Sequence, residues 1–99
     1  MTRVAAFVPD LMDRSKVAAA GDVTFVTTPA ELAATPADVV VLDLSRPGVL
    51  EALTELGGVR TVGFASHVDH DLIAAAAAAG CDEVLPRSRF FARLDELLA

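Results

Sequence analysis

The chain has 99 residues, 54% of them hydrophobic, with 14 acidic side chains against 8 basic ones and a formal charge of −6. That length makes one domain, 1–99, and so much apolar material excludes an intrinsically disordered chain. The acidic balance argues against nucleic acid and against anionic membranes as partners, because phosphate contacts need a basic face.

Arg3 to Val8 reads as a first strand, stopped by Pro9, which has no N–H to give to a ladder. Asp10 or Asp13 caps a first helix that runs through Ala20, with Gly21 as its natural C′ residue. Asp22 to Thr27 alternates apolar and polar residues as an edge strand does. Thr28-Pro29-Ala30-Glu31 opens a short second helix, with Pro in its first turn and Glu reaching back; Thr35-Pro36 ends it.

The third strand, up to Leu44, is an unbroken apolar run ending in Asp43, which suits a central parallel strand buried on both faces. Asp43 then lies at the carboxyl end of that strand, the edge where open α/β sheets gather ligands. It is either a site residue or the cap of the next helix. Arg46-Pro47-Gly48 turns the chain into a third helix, about Val49 to Leu56, closed by Gly57-Gly58. Arg60 to Ala65 is a fourth strand. A polar loop, Ser66 to Asp71, leads to a fourth helix from Leu72 to Ala79, closed by Gly80. Asp82 to Leu85 is a short fifth strand ended by Pro86. Ser88 caps a last helix, Arg89 to Leu98, with apolar positions at Phe91, Leu94, Leu97 and Leu98.

Five strand–helix units imply a parallel sheet with right-handed crossovers and helices on both faces. The expected fold class is α/β, a flavodoxin-like five-stranded parallel sheet of order 2-1-3-4-5. Cys81 is the only cysteine, so no intramolecular disulfide or thiolate zinc site exists, and it reads as a small buried hydrophobe. Met1-Thr2-Arg3 enters the first strand without a signal-peptide pattern, and no apolar run approaches the roughly 20 residues of a membrane span. The expectation is a cytoplasmic domain.

The strand order brings Pro9-Asp10, Asp43-Leu44-Ser45, Ala65-Ser66-His67 and Pro86-Arg87 to one end of the sheet. Here the chain resembles the response-regulator receiver domain of two-component signalling, over nearly its whole length. Leu42-Asp43-Leu44-Ser45-Arg46-Pro47-Gly48 is similar to the receiver pattern around the phospho-accepting aspartate. Ala79-Gly80-Cys81-Asp82-Glu83-Val84-Leu85 is similar to the stretch before the family's fifth-strand lysine. The resemblance makes Asp43 the phospho-acceptor position and implies a cleft of Asp10, Ala65, Ser66 and Arg87.

The departures bear on function. Pro9 and Asp10 stand where receivers carry two acids for Mg²⁺, Ala65 where they carry Thr or Ser, and Arg87-Ser88 where they carry Lys-Pro. Asp10, Asp43 and the Ser45 carbonyl remain as weak ligands for Mg²⁺, which takes oxygen donors and commonly one or two protein carboxylates. Arg is not neutral for Lys, since its planar fork suits bidentate carboxylate pairing. Arg87 is therefore expected to pair with Asp43, and also Asp10, in place of the metal. The expected function is a stand-alone, degenerate receiver-like domain that binds proteins, is not an enzyme and uses no cofactor. The alternative is a working receiver phosphorylated on Asp43 with Mg²⁺. A small ligand-binding or hydrolytic α/β domain is a third reading, although Ser45 and Ser66 have no visible base partner.

His67-x-x-His70 with Asp69 and Asp71 reads either as a metal cluster or as a solvated loop with Asp69 as helix cap; the loop is favoured. The chain stops after its fifth helix, so the expected partner is another polypeptide or a second copy. By resemblance, contact would use the face of the fourth helix, fifth strand and fifth helix, including Arg89, Phe90 and Phe91. Neighbours on a helix point about 100° apart, so only one of the two Phe residues faces the core. The Ala74–Ala79 run permits close approach by another chain, or simply packs on the sheet.

Overall fold

The structure is a computed structural model that describes residues 2–99. Five parallel strands form one sheet: β1 (Arg3–Phe7), β2 (Asp22–Phe25), β3 (Val39–Asp43), β4 (Arg60–Ala65) and β5 (Glu83–Pro86). Their spatial order is 2-1-3-4-5, the expected one. β1 aligns Val4 with Val39 of β3, and β3 aligns Asp43 with Phe64 of β4. Every residue of β3 is buried, which is why its sequence is a run and not an alternation. The edge strand β2 alternates exposed and half-buried residues.

Helices cover both faces. The first face carries α1 (Leu11–Ala19) and the pair α4 (Arg87–Ala92) and α5 (Leu94–Leu97). Val17, Phe90, Leu94 and Leu97 from these helices pack there on Val39, Val41, Val62 and Phe64. The second face carries a 3₁₀ turn (Pro29–Ala34), α2 (Val49–Leu53) and α3 (His70–Ala78). Leu32, Val49, Leu53 and Ala76 meet Val40, Leu42 and Leu44 on that side. Phe64 and Phe90 stack with centroids 4.5 Å apart, a pairing worth about 0.5–1.5 kcal/mol beyond area burial.

Several local expectations change. The second helix is a 3₁₀ turn, held at its start by Glu31, whose carboxylate accepts the N–H groups of Thr27 (2.7 Å) and Thr28 (3.1 Å). α2 is shorter than expected, because the N–H groups of Thr54, Glu55 and Leu56 reach back only three residues. α3 starts at His70 and not Leu72. Gly21 is not left-handed; α1 closes at Ala20, in the right-handed region, where the Ala20 N–H bonds the Val17 carbonyl. Gly80, at φ 103°, does take the left-handed conformation after α3.

Ser88 is not a cap. Pro86 holds that position, and the helix begins at Arg87. Pro86 belongs to β5, as an edge strand tolerates. Asp82, placed in that strand by sequence, lies before it and accepts the N–H (2.8 Å) and hydroxyl (3.1 Å) of Thr61. The last helix breaks at Arg93, and its buried stripe is Phe90, Leu94, Leu97 and Leu98, with Phe90 in the place expected for Phe91. No helix among the described residues is long and apolar enough to cross a membrane.

Candidate functional site

The carboxyl ends of β1, β3 and β5 deliver Asp10, Asp43 and Arg87 to one edge of the sheet. Pro9 stops β1, and Asp10 then caps α1, its Oδ1 accepting the Asp13 N–H at 3.0 Å. That bond, with help from the Met12 N–H and the charges of Arg46 and Arg87, holds the Asp10 carboxyl below its ordinary range, against a partial desolvation.

Asp43 is buried at the end of β3, and both of its oxygens are engaged by the loop that follows. Oδ1 accepts the Ser45 hydroxyl at 2.6 Å and the Ser45 N–H at 3.1 Å. Oδ2 takes Arg46 Nε at 3.4 Å. Asp43 organises the turn into α2, whose own N-cap residue is Gly48 at φ 84°. Only glycine adopts that left-handed conformation without strain.

Arg87 does not bond Asp43. Its Nη2 donates to both oxygens of Asp13, at 2.8 and 3.0 Å. The Asp13 side chain is only 5% exposed, whereas that of Arg87 is 43% exposed. The guanidinium lies over the rings of Phe64 (5.3 Å) and Phe91 (5.4 Å). The hydrogen bond to Asp13 raises the Arg87 pKa above its ordinary value; Asp13, Asp43 and Asp10 add Coulombic attraction, and burial opposes them. The expected pairing of Arg87 with Asp43 is thereby corrected. The physical reason is burial: a carboxylate facing the core needs a donor more than one already served by Ser45. Sequence reasoning saw Asp13 only as a cap. The overlooked signal was its spacing of four from Val17, which puts both on the buried stripe of α1.

The other candidates fall as follows. Ala65 is buried at the end of β4, and Ser66 is exposed, with its carbonyl accepting the Asp69 N–H at 3.0 Å. Asp69 occupies the cap position of α3 without a side-chain bond. Among the described residues no group of three or more His, Cys, Asp or Glu side chains is disposed to hold a metal ion, the His67–Asp71 loop included. Phe90 is fully buried and therefore is not part of a contact surface. Arg89 is exposed and Phe91 half-buried, so the expected surface reduces to these two.

A divalent cation of the receiver type fits this donor set poorly. Asp43 has both oxygens occupied, Asp13 is turned to Arg87, one Asp10 oxygen caps α1, and Pro9 offers no side-chain donor. Two guanidinium groups already supply the positive charge there.

No family model matches the chain, and no curated protein matches it. Solved structures do, and the fold they share with it is that of response-regulator receiver domains. A response regulator from Hahella chejuensis superposes with a TM-score of 0.81 at 17% identity, covering 99% of this chain and 92% of the other. The phosphorylated cyanobacterial phytochrome response regulator RcpA gives 0.80 at 16% identity, covering 96% and 89%. A pilus assembly protein (CpaE) from Burkholderia thailandensis gives 0.72 at 18% identity, covering 97% and 93%.

Proposed function

We propose that this chain is a receiver-like domain that acts by contacting other proteins in the cytoplasm, without a cofactor and without efficient phosphorylation of Asp43. The observation that carries this is the occupation of both Asp43 oxygens by the adjacent Ser45 and Arg46. Phosphoryl transfer to a carboxylate is mostly positioning and neutralisation by metal and cation. In this chain Arg46 supplies one charge to Asp43, and Arg87, at the position of the family's lysine, is bonded to Asp13 instead. An incoming phosphoryl group has to displace the Ser45 hydroxyl or the Arg46 guanidinium before it reaches Asp43. The neighbour named for pilus assembly, and not for response regulation, is in keeping with a receiver fold put to another use.

The test is intact-mass spectrometry after incubation with acetyl phosphate and Mg²⁺. The expected result is no adduct beyond that of an Asp43→Asn control. An adduct that forms readily and disappears in that variant refutes the reading.

The second reading, a working receiver using Mg²⁺ and Asp43, rests on the burial of Asp43 at the end of the central strand and on the phosphorylated state of the RcpA neighbour. The same assay decides between them.

A further inference from the structure

The second face of the sheet is thinly covered. A six-residue 3₁₀ turn and the five-residue α2 do the work of two full helices there. Between them runs an open groove of about 480 Å³. Pro29, Ala30, Ala33 and Ala52 make it largely apolar, and Glu51 and Glu55 stand along one wall. Gly48 and Glu51 join it to a second hollow of about 390 Å³, which runs on past Leu50 to Leu72 and Asp69 at the start of α3.

The charges of this trough are one-sided. Among the described residues, Glu51, Glu55 and Asp69 make no ion pair. The cations Arg3, Arg60, Arg87 and Arg93 are already matched to acids away from the trough. The one cation at the trough, Arg46, faces Asp43. An apolar floor beside unmatched carboxylates is complementary to an apolar stripe flanked by Lys or Arg.

We infer that the trough between the 3₁₀ turn and α2 is a docking site for a basic amphipathic helix of another protein. A helix is the fitting occupant because the trough lies between helical elements, away from the sheet edges β2 and β5 where a strand adds. Its apolar residues cover Ala30, Ala33 and Ala52, and its basic residues face Glu51, Glu55 and Asp69. This deepens the reading of the chain as a protein-contact domain and rests on it. It puts contact on the trough of the second face and not on the edge formed by β5 with α4, with only the start of α3 shared.

The test uses the full ¹⁵N-labelled chain and two designed peptides sharing one helical Leu stripe, with Lys at the remaining positions in one and Glu in the other. The expected result is amide shifts confined to the 3₁₀ turn, α2 and the start of α3, for the Lys peptide only, with affinity falling as salt rises. The pair Glu51→Lys and Glu55→Lys weakens binding on the order of tenfold or more, since each pairing becomes a repulsion. The control pair Asp95→Lys and Glu96→Lys does not. Circular dichroism verifies that the variants fold, and Glu55→Lys alone serves if the pair does not. Shifts centred on α3 and α4, equal binding of the Glu peptide, no binding, or self-association through the trough each overturn the inference. The phosphorylation assay is independent: an adduct at Asp43 refutes the proposed function and leaves the peptide result standing.

Discussion

The pairing of Arg87 with Asp13 is open to a double-mutant cycle. Arg87→Met removes the charge and keeps most of the stem that lies over Phe64 and Phe91. It strands a carboxylate that is 5% exposed. A hydrogen bond to a charged group contributes about 1.5–3 kcal/mol, and breaking a fully buried pair costs about 3–5. Arg87 is 43% exposed, so solvent screens the pair and water reaches the vacated site. The worked value is therefore about 1–2 kcal/mol. A domain of this size loses about 4–8 °C in Tm per kcal/mol, so the drop is large enough to measure by circular dichroism. Asp13→Asn and the double variant complete the cycle, with a coupling of about 1 kcal/mol; the matching cycle with Asp43→Asn gives less than about 0.3 kcal/mol. Coupling of Arg87 to Asp43 equal to or larger than its coupling to Asp13 refutes the reasoning and restores Arg87 to the Asp43 carboxylate.

Three further outcomes follow from named contacts. A Cβ on Gly63 comes within 2.8 Å of three side-chain carbons of the buried Leu44, so Gly63→Ala destabilises by about 1–3 kcal/mol in chemical denaturation. Leu44→Val in the same chain recovers part of that loss. Phe90→Ala, emptying a fully buried site stacked on Phe64, costs about 3–5 kcal/mol, and Phe91→Ala costs clearly less in the same assay. The Asp10 carboxyl titrates below its ordinary 3.8, so its contribution is complete above that value and is lost as pH falls through the lower folded value. Asp10→Asn flattens that acid limb of the stability-against-pH curve.

The fold was legible because its signals are local. The Val39–Leu42 run announces a strand buried on both faces, and the lighter patterns around it announce the edges. Thr28-Pro29 and Gly80 mark a helix start and a helix stop that the backbone follows. Helix lengths were less legible. α2 tightens into three-residue turns after Leu53, where the Thr54 hydroxyl also donates to the Glu51 carbonyl at 2.7 Å.

The candidate site was legible in its membership and not in its pairings. Sequence placed Asp10, Asp43 and Arg87 at one edge of the sheet, as strand order requires. Which carboxylate takes which guanidinium depends on burial, and burial depends on the turn of a helix. Asp13 lies one helical turn from Val17 and faces inward, away from solvent, so the long arm of Arg87 crosses from the start of α4 to reach it. Asp43, equally buried, is served at short range by the hydroxyl and N–H two residues on, and it leaves only its second oxygen to Arg46. One edge of the sheet therefore holds two carboxylates neutralised separately, Asp43 by Arg46 of the following loop and Asp13 by Arg87 at the start of α4. Arg46 is within three residues of its acid, so the β3–α2 loop keeps this arrangement whatever Arg87 does. Loss of Arg87 thus loosens α1 from α4 and leaves the Ser45 and Arg46 contacts of Asp43 in place.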